Sequence, residues 1–218
     1  MLHIINKQNS VFNTFLAEMR DSDIQRDSMR FRRNLERTGE IMAYELSKKL
    51  HYQTNEVTTP LGIANVDMIA DNIVVATVLR AGLPFHQGFL NYFDKAQNAF
   101  VSAYRKHHKD GTFEISVEYI SCPDLTDKIL ILVDPMLATG ASMVAVYKAM
   151  LATNGLPKFT HFAGIIASDE GIKYLRLHAP QNTDIWIGAI DDELTTQAYI
   201  VPGLGDAGDL AFGPKSSY

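Results

Sequence analysis

Three stretches of the chain carry residue types and spacings that can do chemistry. In "KILILVDPMLATGASMVAVYKAM" an apolar run ends in Asp134, a short loop carries Thr139, Gly140, Ala141 and Ser142, and a helical pattern follows at once. Small residues at a helix start offer unsatisfied backbone N–H groups and the positive end of the helix dipole, a setting for phosphate. The hydroxyls of Thr139 and Ser142 add donors. No lysine follows Gly140, so the G-x-x-x-x-G-K-[ST] spacing of a nucleoside-triphosphate loop is absent.

The second stretch, "VLRAGLPFHQG", puts Arg80 at the end of another apolar run and Gly82 in the turn. Carboxyl ends of strands line the ligand crevice in open α/β sheets, so Arg80 and Asp134 are expected to face one site. Arg105 lies further along. Two guanidinium forks beside a phosphate cradle imply a ligand with more than one anionic group. In the third stretch, "IVPGLGDAGDLAFG", Gly203, Gly205 and Gly208 match G-x-G-x-x-G. A dinucleotide turn follows a strand, opens a helix and precedes an acid about 20 residues on, and too little chain follows Gly208 for that unit.

These stretches need a scaffold. Val11, Phe12, Phe15, Leu16 and Met19 make one apolar helical face, and Phe31, Leu35, Met42, Leu46 and Leu50 continue a similar stripe. Short apolar runs follow, read as strands at 72–79, 99–104, 128–134, 159–168 and 184–190. Their near-continuous Val, Ile and Leu content predicts a parallel sheet covered on both faces. Helical segments at 86–93, 142–155 and 170–179 give β-α-β alternation. The stretch "YRKHHKDGTFEISVEYI" breaks it, with Asp110-Gly111 as a turn signal between alternating residues, and predicts a hairpin flap.

The 218 residues carry a net charge of −5, which argues against a surface built to grip nucleic acid. The densest positive cluster, Arg26, Arg30, Arg32, Arg33 and Arg37, reads as exposed helix charge, with an acidic effector or another subunit as the alternative. The single cysteine, Cys122, excludes an intrachain disulfide, and neither a signal peptide nor a membrane span is evident, so a cytoplasmic location is expected. The histidines show no metal spacing. The neighbours His107 and His108 on a strand would point to opposite faces, and His86 reads as an ordinary loop residue.

In order and spacing, "LRAGL", "VDPMLATGAS" and "YIVPGLGDAGD" resemble the uracil phosphoribosyltransferase family over nearly the whole chain. "TGEIMAYEL" and "TTPLG" are similar to that family's helical arm and first strand. The resemblance implies one α/β domain of the type I phosphoribosyltransferase class, with a mostly parallel central sheet flanked by helices. A helical arm would span 1–55, the core 56–198 with a β-hairpin flap at about 104–121, and a base-binding segment 199–218. The implied reaction is uracil plus 5-phosphoribosyl 1-diphosphate to UMP and diphosphate, a step of pyrimidine salvage. Magnesium, an assembly of identical subunits and, in some members, activation by GTP are implied as well.

The same resemblance places the donor on Asp134, Pro135, Met136 and Leu137 and its 5-phosphate on Ala138, Thr139, Gly140, Ala141 and Ser142. It gives Arg80 and Arg105 to the diphosphate, Ile200, Gly205 and Ala207 to uracil, and Asp206 to both substrates. Arg80, Arg105 and Asp206 are the expected catalytic groups. No metal ligand is directly assigned, since magnesium would arrive on the diphosphate, near Asp206. Pro135 replaces the second of two acids common in other phosphoribosyltransferases, a departure typical of the uracil enzymes. Lys106-His107-His108-Lys109 stands where relatives carry an acidic run, and Leu210 where they carry Arg or Lys. An RNA-binding regulator of pyrimidine genes with the same fold, or a catalytically weak sensor, are the alternative readings.

Overall fold

A computed structural model describes residues 1–107 and 113–215, with side chains of 104–107 and 113–115 outside the described set. The Asp110-Gly111 turn and His108 also lie outside the described residues. The elements are β1 (Leu2–Ile4), α1 (Val11–Arg20), α2 (Ser28–Ser47), β2 (Tyr52–Thr59), β3 (Gly62–Ile69), β4 (Ile73–Leu79) and α3 (Gly82–Leu90). Then come β5 (Gln97–His107), β6 (Phe113–Ser121), β7 (Ile129–Val133), β8 (Met136–Leu137), α4 (Ala141–Asn154), β9 (Phe159–Ser168), α5 (Asp169–His178) and β10 (Thr183–Asp191). The chain closes with β11 (Glu193–Leu194), β12 (Ile200–Val201) and α6 (Ala207–Phe212).

The central sheet runs β1-β10-β9-β7-β4-β5-β6, with β8 added beside β9. All pairs are parallel except β5 with β6, which form the base of the expected flap. The apolar strands are buried on both faces, and their alternation sorts the core into two layers. Ile73, Val75, Ile131 and Val133 join Phe31, Leu35 and Met42 of α2 and Phe85 and Phe89 of α3. Val74, Ala76, Leu130 and Leu132 face Met143, Val146, Tyr147 and Met150 of α4. Ile200, Leu204, Ala207 and Ala211 of the C-terminal segment join the first layer, so that segment packs on the side of the N-terminal helices.

Two sequence expectations need correction. The first 55 residues are not solely helical: β1 sits at the sheet edge, and β2 begins at Tyr52. "TTPLG" is the tip of an antiparallel β2–β3 hairpin that pairs with no other strand among the described residues. Its apolar residues are exposed, Leu61 fully and Ile63 by 69%. Second, α3 starts at Gly82 instead of at 86, because Pro84 falls in the first helical turn, where a missing N–H costs nothing. His86 is therefore buried on a helix face, and its ring Nε2 lies 3.2 Å from Val75 O.

The arginine cluster is spent within the chain. Arg30 pairs with Glu18 at 2.6 Å, Arg33 with Glu36 at 2.8 Å, and Arg26 with Asp23 at 3.9 Å. Arg32 donates to Ala211 O and Arg37 to Asn34; these two are partly buried, and Arg26 lies in a short turn ahead of α2. No described helix is long and apolar enough to cross a membrane.

Candidate active site

The phosphate turn is built where β7 leaves the sheet. Asp134 N donates to Ala163 O, and Pro135 O accepts from Ile165 and Ile166, so the chain stays fastened to β9 past the end of β7. β8 then pairs with β9, and the turn rises to Gly140, whose φ of 76° lies in the left-handed region that favours glycine. From there α4 begins, and Thr139 Oγ1 accepts from Ala141 N at 3.4 Å. The turn encloses a cavity of about 40 Å³ lined by Asp134, Leu137, Thr139, Gly140 and Ser142 among others. At about 10–15 Å³ per water-sized occupant, that is room for a phosphate-sized group.

Two residues that sequence reasoning missed support this turn from below. Ser168 Oγ donates to Ala138 O at 2.5 Å and accepts from Gly171 N at 2.8 Å, capping α5 and holding the turn with one hydroxyl. Gly171 lies against the Leu137 and Ala138 carbonyls, where a Cβ would collide with both. A serine before an acidic helix start was the available signal, but it announces only a cap.

Asp134 sits half-buried at the floor. Loss of surrounding water pushes its carboxyl up to about 7, opposed by a weak hydrogen bond from Met136 N. The carboxylate therefore changes charge near neutrality. Beside it, β4 pairs with β7 as far as Thr77 and Val133, and the chain turns through Arg80. A Cβ on Gly82 would lie 3.4 Å from Val133 O, so the turn after β4 leans on the end of β7.

Arg80 reaches the C-terminal segment. Its Nη2 donates to Asp209 Oδ1 at 2.9 Å and to Gly213 O at 3.3 Å. A Cβ built on Gly208 would meet Asp206 Oδ1 at 3.1 Å and Arg80 Nη2 at 3.7 Å, so both side chains lie on the side of Gly208 that lacks a Cβ. Asp206 caps α6, accepting from Asp209 N at 3.0 Å. Before it, β12 pairs with β11, the Val201–Pro202 peptide is cis, and Gly203 and Gly205 take positive φ. Ile200 is buried, Gly205 is exposed and Ala207 is buried at the start of α6. Leu210 is partly buried against the core.

Of the expected site residues, Arg80 and Asp206 come together, and Asp134 through Ser142 form one turn beside them. The Arg105 backbone lies on β5, paired with Ile115, while its side chain is outside the described set. No group of three or more His, Cys, Asp or Glu side chains converges among the described residues. A mostly parallel sheet carrying a phosphate-type turn, an adjacent arginine turn and a glycine-rich loop at its carboxyl edge fits the phosphoribosyltransferase class.

The sequence comparisons name the kind. The uracil phosphoribosyltransferase family model matches residues 6–214, and the chain belongs to that family. A uracil phosphoribosyltransferase from Porphyromonas gingivalis is 58% identical over 211 residues, covering 97% of both chains. One from Pyrococcus furiosus is 40% identical, covering 91% of this chain and 84% of its own. Among solved structures, the AQ2163 protein from Aquifex aeolicus superposes with a TM-score of 0.85 at 28% identity over 98% of both chains.

Proposed function

We infer that the protein joins N1 of uracil to C1 of 5-phosphoribosyl 1-diphosphate, giving UMP and diphosphate. The observation that carries this reading is the Arg80–Asp209 ion pair, which brings the β4 turn to the C-terminal segment next to Asp206, with the phosphate turn following the neighbouring strand β7. The C1–O bond to diphosphate breaks with its electron pair on the leaving group, while the ribose carries positive charge until N1 bonds and its proton leaves. Such a transition state needs positioning and charge stabilisation more than a covalent nucleophile.

In this reading the α4 start and the hydroxyls of Thr139 and Ser142 hold the 5-phosphate, and ionised Asp134 accepts from the ribose hydroxyls. Arg80, with Arg105, takes the diphosphate. The backbone of Ile200, Gly205 and Ala207 reads the polar edge of uracil, and Asp206 stands where base and diphosphate meet. Magnesium would arrive with the donor, held mainly by diphosphate oxygens with Asp206 as the nearby carboxylate, and would neutralise charge on the leaving group, in keeping with its preference for few carboxylates plus phosphates. The exposed apolar β2–β3 hairpin supports assembly of identical subunits. GTP is read as an activator, checked by the rate of UMP formation with and without it.

The test is direct. Purified protein with uracil, 5-phosphoribosyl 1-diphosphate and magnesium forms UMP; absence of UMP across pH and with or without GTP overturns the reading. Sedimentation of wild type and Ile63→Asp tests assembly, the substitution shifting the protein toward monomer.

A further inference from the structure

The loop assigned to uracil is anchored from the opposite end of the chain. Arg20, the last residue of α1, makes a two-pronged ion pair with Asp191 at the end of β10: Nη1 to Oδ2 and Nη2 to Oδ1, each 2.8 Å. Both remaining contacts run to one residue of the loop. Arg20 Nη1 donates to Gly203 O at 3.0 Å, and Gly203 N donates to Asp191 Oδ2 at 3.0 Å. The two backbone polar groups of Gly203 are thus closed into a ring with a carboxylate and a guanidinium.

This ring is a built feature and not a surface contact. Asp191 is 7% exposed and Arg20 23%, and Gly203 is buried. Charge-assisted, bidentate hydrogen bonds are the strong and directional ones, and removing one partner of a buried pair leaves an uncompensated charge. A second tie lies alongside: the Gln25 side-chain nitrogen, oriented by its surroundings, reaches Leu204 O at 2.8 Å and Met19 O at 3.1 Å. Beyond the loop, Arg32 of α2 donates to Ala211 O at 2.6 Å. The phosphate turn receives no such tie from these residues; its supports come from β9 and α5.

We infer that Arg20 and Asp191 are positioning residues for the base. They fix the Gly203 corner, so that the backbone from Ile200 to Ala207 meets uracil in one preset shape. The inference rests on the reading of this loop as the uracil seat. It predicts an asymmetric effect: breaking the ring loosens the base side of the site and leaves the donor side intact.

The experiment measures steady-state constants for both substrates, with thermal midpoints, for wild type, Arg20→Met, Asp191→Asn and Gly205→Ala. Asp191→Asn keeps side-chain size and an acceptor for Gly203 N, and guards against misfolding of Arg20→Met. The expected result is a uracil KM raised about tenfold in Arg20→Met and about threefold in Asp191→Asn, with the donor KM within about twofold of wild type. Arg20→Lys, which keeps the charge without the fork, should fall between. A folded variant of either residue with uracil KM unchanged, or with both constants raised by the same factor, overturns the inference. Gly205→Ala, at a φ of 88° that strains any side chain, tests the loop itself. If it raises uracil KM while the Arg20 and Asp191 variants do not, only the positioning role fails. If it leaves uracil KM unchanged, the assignment of the loop fails, and the positioning role fails with it.

Discussion

Arg80 and Asp209 stand 129 positions apart in sequence, yet Nη2 of one lies 2.9 Å from Oδ1 of the other. This ion pair joins the turn after β4 to α6, and both side chains are a little over one-third exposed. In the proposed site, a diphosphate arriving at Arg80 would compete with Asp209 for the guanidinium.

Arg80→Ala is therefore expected to cost far more in turnover than in folding. An ion pair of this exposure contributes no more than about 1 kcal/mol to stability. A preorganised donor to developing negative charge is worth about 3–4 kcal/mol, or about 10²–10³ in rate. Single-turnover rates beside thermal midpoints separate the two, and a variant with wild-type turnover would place Arg80 outside the site.

Asp206 has a structural duty as well as the proposed chemical one, and asparagine separates them. Asn and Asp cap helices about equally well, so Asp206→Asn should retain the bond from Asp209 N and leave the thermal midpoint within about one or two degrees of wild type. Activity should fall at least about tenfold, measured as UMP formed at saturating substrates. Unchanged activity would remove Asp206 from catalysis.

On the proposed reading, Asp134 should make donor binding depend on pH. Its carboxyl lies at about 7 in the folded protein, above the ordinary value of about 3.9 for an unfolded aspartate. The stability linked to its protonation is complete below the unfolded value and is lost as pH rises through about 7. Donor binding should run the other way, because in the proposed site it is the ionised form that accepts from ribose hydroxyls: donor KM should rise as pH falls from about 8 to about 6. In Asp134→Asn both dependences flatten. Calorimetry of the free protein and donor KM across that range check the two signs.

Gly171→Ala tests the support beneath the phosphate turn. A Cβ there runs into the Leu137 and Ala138 carbonyls, and backbone cannot swing aside as a side-chain tip can. The substitution should raise donor KM several-fold while uracil KM, measured at saturating donor, changes little. Equal changes in both would mean that α5 does not act through the turn.

What the sequence made legible follows from periodicity and chain-local chemistry. The strand before Asp134, the left-handed glycine and the helix after it are consecutive, so their meaning survives without a structure. The apolar strands could be recognised too, because a strand covered on both faces needs apolar residues at every position. Arg20, Asp191, Ser168 and Gly171 were not legible, since each works through a partner on another element. Arg20 looks like any helix-end cation until Gly203 is beside it. The β2–β3 hairpin escaped because "YQTNEVTT" and "GIANVDMI" have no face to bury within this chain, so their pattern lacks a clean alternation.

The ring of Arg20, Asp191 and Gly203 also ties the two ends of the chain into one structure. Arg20 and Gly203 lie 183 positions apart, so the Gly203 corner closes only where the C-terminal segment has returned to the first helix. Ser168, by contrast, stands 30 positions from the Ala138 carbonyl that it holds. On the proposed reading, the donor's turn is a local construction, and the seat for the base is one that spans the chain.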